Sequence, residues 1–110
     1  MMADSRLRGI KIQTGVVRRL TKEKESYEKE AVYLAERLEK MKADGKDEHD
    51  IRKQGEVLQE SRCMIPDTVK RLKKAYRELS ELLDKEADLA DTEEFTTARE
   101  ILKVADPYVT

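Results

Sequence analysis

The chain has 110 residues, of which 43% are charged and 5% aromatic, with no tryptophan and a net charge of −1. That composition suits long helices or coiled coils and argues against a thick globular core. The near-zero charge argues against a nucleic-acid binder with a broad positive field, and a single cysteine, Cys63, excludes an intrachain disulfide.

The first predicted element is a helix over about 5–43. Ile10, Val17, Lys24, Ala31 and Leu38 recur every seven residues, and Gln13, Leu20, Tyr27, Leu34 and Met41 follow each by three. These are the a and d positions of a helical seam. The polar Gln13 and Lys24 can fix its register at some cost in stability. Gly45 suits a left-handed C-terminal cap, and Lys40 and Lys42 suit the negative end of the helix dipole.

A second helix is predicted over about 48–87, with Asp47 as its N-cap. Its seam runs through Ile51, Gly55, Leu58, Arg62, Ile65, Val69, Leu72, Tyr76, Leu79 and Leu83. Pro66 lies in the middle. Proline lacks a backbone donor and disfavours αR in the residue before it, so a break is expected near 63–66, with the helix restarting at Pro66. A break there exposes apolar atoms and unpaired carbonyls around Met64. It reads either as a tolerated kink or as a recognition surface.

The third helix is predicted over about 92–105, capped by Asp91 with Glu94 in a capping-box arrangement and ended by Pro107. It would bury Phe95, Ala98, Leu102 and Ala105. Short connections make successive helices antiparallel neighbours. The fold class is therefore all-α: an antiparallel three-helix bundle in one domain, with coiled-coil-type packing. Helices of about 40 residues at ~1.5 Å per residue would make a rod about 60 Å long.

Charge is uneven along this frame. Residues 1–24 carry seven basic and two acidic groups, and residues 84–100 carry two basic and seven acidic. The topology puts both runs at one end, where mutual neutralisation and solubility account for them. An acidic third helix there would repel anionic lipid, so a basic membrane-surface helix at residues 6–24 is disfavoured. No apolar run reaches the roughly 20 residues of a membrane span, and the opening "MMADSRLRG" has no apolar core of a signal peptide. No membrane association is expected, and the lone cysteine fits a reducing compartment.

Catalytic constellations are not legible. His49 is the only histidine and falls at a predicted helix start, with no base-and-orienter set around it. Cys63 takes an outward position, and one cysteine with one histidine makes no zinc site. Gly9 and Gly15 sit inside a helical pattern and form no phosphate loop. Glutamates interleaved with lysines at helical spacing form a solvated face. No enzyme activity, cofactor or metal is expected; what remains is a helical surface that binds something.

Two stretches carry a resemblance. "IKIQTGVVRRLTKEKESYEKEA" (10–31) and "LQESRCMIPDTVKRL" (58–72) closely resemble the tubulin-binding cofactor A family, over nearly the whole chain. Members often carry Met where this chain has Cys63. The resemblance implies a cytoplasmic, cytoskeleton-associated chaperone without ATPase activity. It implies capture of quasi-native β-tubulin released from the cytosolic chaperonin, its storage, and its passage to α/β-tubulin heterodimer assembly. Other tubulin-folding cofactors would be met only indirectly, and the chain would act as a monomer or homodimer. The alternative is a structural helical adaptor or coiled-coil oligomer with no chaperone role. Since seam residues are used inside the bundle, the partner should meet outward groups in the two stretches: Lys11, Thr14, Arg18 and Arg19 on the first helix, and Glu60, Ser61, Met64, Asp67 and Arg71 on the second.

Overall fold

A computed structural model describes residues 4–110; the first three residues of the stretch scanned for a signal peptide lie outside them. Three helices follow in order: α1 (Ser5–Ala43), α2 (Glu48–Lys85) and α3 (Glu93–Val109), with a 3-10 turn at Ala87–Leu89 before α3. Among the described residues there is no strand.

The helix ends follow from local chemistry. Asp4 caps α1, its Oδ1 accepting from the Arg6 backbone N–H at 2.9 Å. At the other end Gly45 takes the left-handed conformation (φ 68°). Lys46 N–H donates to Met41 O at 3.0 Å and Gly45 N–H to Lys42 O at 3.2 Å. This is a Schellman termination, and it satisfies carbonyls that the helix end would leave bare. Asp47 then accepts the first bond of α2, from Ile51 N–H at 3.0 Å.

Three local expectations need correction. The break at 63–66 is absent: α2 is one helix through Pro66. Proline's fixed φ is compatible with a helix, so only the bond to the Arg62 carbonyl is lost. That carbonyl lies on an exposed face, while buried Leu58, Ser61, Thr68 and Leu72 hold the helix on either side. Pro107 likewise does not end α3, which runs on to Val109. Tyr108 and Val109 pack against the core and carry the helix past the missing donor. The cap of α3 is Thr92, not Asp91: its Oγ1 accepts from Phe95 N–H at 3.3 Å and donates to Leu89 O at 2.6 Å.

The chain forms two compact units. The first comprises residues 4–22 with Val69–Thr110. Ile10, Val17 and Leu20 of α1, Leu72, Ala75, Leu79 and Leu83 of α2, and Phe95, Ala98 and Ala105 of α3 make its core. Full burial of each large side chain contributes roughly 1.5–3 kcal/mol. Its segments are antiparallel: Arg6 meets Glu86 and Gln13 meets Glu78, so α1 ascends as α2 descends. The Tyr76 hydroxyl donates to Asp106 at 2.9 Å and ties α2 to α3.

The second unit, Glu23–Thr68, is a helical hairpin closed by the turn at residues 44–47. Its core is smaller: Ala31, Leu34 and Leu58, with Ala35, Leu38 and Ile65 against them. Lys24 does not lie bare on the seam; it is mostly covered and pairs with Glu28 one turn on.

The seams are close to expectation but rotated. On α1, Thr14 and Thr21 are buried beside the expected apolar row, each donating its hydroxyl to a carbonyl one turn back. On α2, Leu58, Leu72 and Leu79 are buried as expected, but Arg62 is exposed. Ser61, Thr68 and Ala75 take the second row, and Val69 and Tyr76 sit at its flank, half-buried.

Candidate binding surface

Of the outward residues expected on α1, Lys11, Arg18 and Arg19 are exposed. Thr14 is not: it is 3% exposed, and its Oγ1 is occupied by the Ile10 carbonyl at 2.7 Å. The rotation of the seam toward Thr14 removes it from the surface. Within the first unit, Lys11, Thr14 and Arg18 share a cleft of about 260 Å³ with Glu93, Glu94 and Thr97 of α3. The basic and acidic runs of the sequence therefore do meet. Arg6 adds direct ion pairs to Glu86 and Asp88, both at 2.9 Å. Arg19 stands apart from that cleft.

On α2, Glu60, Met64, Asp67 and Arg71 are exposed. Ser61 is the second correction: it is 5% exposed, and its Oγ has no hydrogen-bond partner. The shift of the second seam row from Arg62 to Ser61 turns it inward. Cys63 is exposed, with the Gln59 amide 3.8 Å from its sulfur. His49 is exposed at the start of α2, its Nδ1 3.4 Å from the Arg52 guanidinium.

The hairpin unit carries a second, broader hollow that sequence reasoning missed. Its volume is about 800 Å³. Tyr27 and Glu30 of α1 line one side; Glu56, Val57, Glu60, Ser61, Cys63 and Met64 of α2 line the other. Val57 is 44% exposed and Met64 36%. A signal existed: Val57 and Met64 are seven residues apart, outside the leucine row, with Glu56 and Glu60 one turn apart beside them. Tyr27, a seam position by its spacing, is only half-buried.

Lys11 and Arg18 of α1 thus share one cleft with Glu93 and Glu94 of α3, and the hairpin hollow combines apolar with acidic side chains. Comparisons with known proteins place this helical chain in a family. The model of the tubulin binding cofactor A family covers residues 5–102. The chain belongs to the tubulin binding cofactor A family. Tubulin-specific chaperone A of Gallus gallus is 56% identical over 102 residues, 93% of this chain and 94% of that one. The solved human tubulin chaperone cofactor A superposes with a TM-score of 0.79 at 51% identity, covering 92% of this chain and 98% of that one. Tubulin folding cofactor A from Arabidopsis thaliana gives a TM-score of 0.80 at 36% identity, with 94% and 97% covered. Membership in the cofactor A family accounts for the three-helix fold.

Proposed function

We infer that this cofactor A chain binds tubulin, and specifically that it captures quasi-native β-tubulin, holds it stoichiometrically in the cytoplasm and releases it toward heterodimer assembly. Family membership over residues 5–102 is the observation that carries this reading. Binding the partial fold but not the finished heterodimer stabilises the former by mass action, without nucleotide hydrolysis. The exposed basic groups Lys11, Arg18 and Arg19 offer a face that steers an acidic partner. Glu60, Met64, Asp67 and Arg71 offer contact on α2. Thr14 and Ser61 are buried and offer the partner no contact.

The test is stopped-flow capture of purified β-tubulin. Arg18→Glu/Arg19→Glu should leave the circular dichroism unchanged and slow association about tenfold at low salt. Raising salt from 0.1 M to 1 M, which shortens the Debye length from ~10 Å to ~3 Å, should slow the parent chain in the same direction. Absence of any capture by the parent chain would leave a helical adaptor as the better reading.

A further inference from the structure

The hollow of the hairpin unit differs in character from the basic face of α1. Its lining joins the apolar side chains of Tyr27, Val57 and Met64 to Glu30, Glu56 and Glu60, with no lysine or arginine among the lining residues. Three like charges beside apolar side chains concentrate negative potential there. Large apolar side chains left exposed in a concave, charged site mark an interaction surface.

We propose that this hollow is a docking groove for a basic helical segment of the protein client, one that inserts a large apolar side chain between Val57 and Met64 and sets lysine or arginine against Glu30, Glu56 and Glu60. The identity of the client rests on the β-tubulin reading; the chemistry of the segment does not. Charge complementarity selects the occupant. An acidic segment is repelled by the three carboxylates, and a purely apolar one leaves them without counter-charges. The hollow, about 800 Å³ in volume and widely open to solvent, gives room for the side chains of a segment laid along it. The molecule then has two unlike contact regions, a basic one on α1 and an acidic apolar one in the hairpin.

The probe is a fluorescein-labelled amphipathic peptide of leucine and lysine, with a leucine and glutamate counterpart, followed by anisotropy. The lysine peptide should bind and the glutamate peptide should not. Glu30→Gln/Glu56→Gln/Glu60→Gln should raise the Kd about tenfold, and Val57→Ser/Met64→Ser should do likewise. A triple of equal charge change elsewhere in the same unit, Glu36→Gln/Glu39→Gln/Asp44→Asn, should leave the Kd near its parental value. All the replaced side chains lie on the surface, so unchanged circular dichroism is the control for folding. The proposal is overturned if the control triple weakens binding as much as the groove triple, or if Val57→Ser/Met64→Ser binds like the parent. It is also overturned if the parent sediments as a dimer that the groove triple dissociates, since a second copy then fills the groove. With β-tubulin, the groove variants should release the client faster than the parent. If the parent captures no β-tubulin, the client reading fails and the peptide result alone judges the groove.

Discussion

The Arg6 guanidinium stands 2.9 Å from the Glu86 carboxylate across 80 residues of chain. The same guanidinium reaches Asp4 and Asp88, so one side chain joins the start of α1 to the turn that follows α2. Glu86 is only 9% exposed, an unusual depth for a carboxylate. Hydrogen bonds to Asp4, Asp88 and Glu86 push the Arg6 pKa up, and Arg6 in turn holds Asp4 below the usual carboxylate range.

Replacing Arg6 with alanine should therefore lower the melting temperature, because Glu86 loses its partner while staying covered. The sign with pH follows from Asp4. Its depressed pKa makes its contribution complete above the ordinary value of 3.8 and lost as pH falls through the folded value. Thermal melts of parent and Arg6→Ala should converge toward acid pH; a constant gap down to strongly acid conditions would count against the Asp4 link.

Pro66 lies in a helix that does not break. Alanine there would restore the bond to the Arg62 carbonyl and remove the ring's crowding of it, together about 3 kcal/mol in a helix interior, less about 1 kcal/mol for the looser unfolded chain. Pro66→Ala should stabilise the protein by about 2 kcal/mol in denaturant titration. A less stable variant would mean that the helix is shaped to the proline ring.

Gly15 and Gly55 lie inside α1 and α2, and a Cβ at either would meet nothing within 4 Å. Alanine at each should stabilise by about 0.5–1 kcal/mol, and the two should add, since the sites share no neighbours. Gly45 is the contrast: its φ of 68° makes Gly45→Ala destabilising despite equal space.

The Tyr76–Asp106 hydrogen bond holds the phenol in its neutral form and raises its pKa above 10.0. A raised pKa means stability that is complete below the unfolded value and lost as pH climbs through the folded one. Tyr76→Phe should cost up to about 1 kcal/mol at neutral pH, and that cost should vanish in strongly alkaline buffer. A cost that persists there would assign it to packing.

The rows that were legible in the sequence are those written in leucine. Leu58, Leu72 and Leu79 sit seven residues apart, or a multiple of it, and are buried as their spacing requires. The partner row was ambiguous, because both three and four residues complete a helical stripe. Val69 and Tyr76 offer the larger apolar side chains and carry Arg62 with them by spacing, but Ser61, Thr68 and Ala75 are inside. Thr14 was misread for a related reason. A threonine whose hydroxyl turns back on its own helix offers only a methyl group to its neighbours, which a hydropathy pattern does not record. Proline was over-weighted twice, at Pro66 and Pro107, because tertiary contacts beyond each outweigh one lost hydrogen bond. The acidic hollow was hidden because its two walls come from different helices.

The division of the chain into a local hairpin and a unit built from both ends has a kinetic side. Leu34 and Leu58 meet around a short turn, whereas Gln13 and Glu78 are 65 residues apart in sequence. Closing the larger loop costs more chain entropy before any contact rewards it. The hairpin should form first even though its core is the smaller, and pulse-labelled hydrogen exchange should protect residues 31–38 and 58–65 ahead of residues 10–20. On the ribosome the start of α1 must wait, unpartnered, until the late part of α2 and α3 have been made, and its many charged groups suit it to that wait.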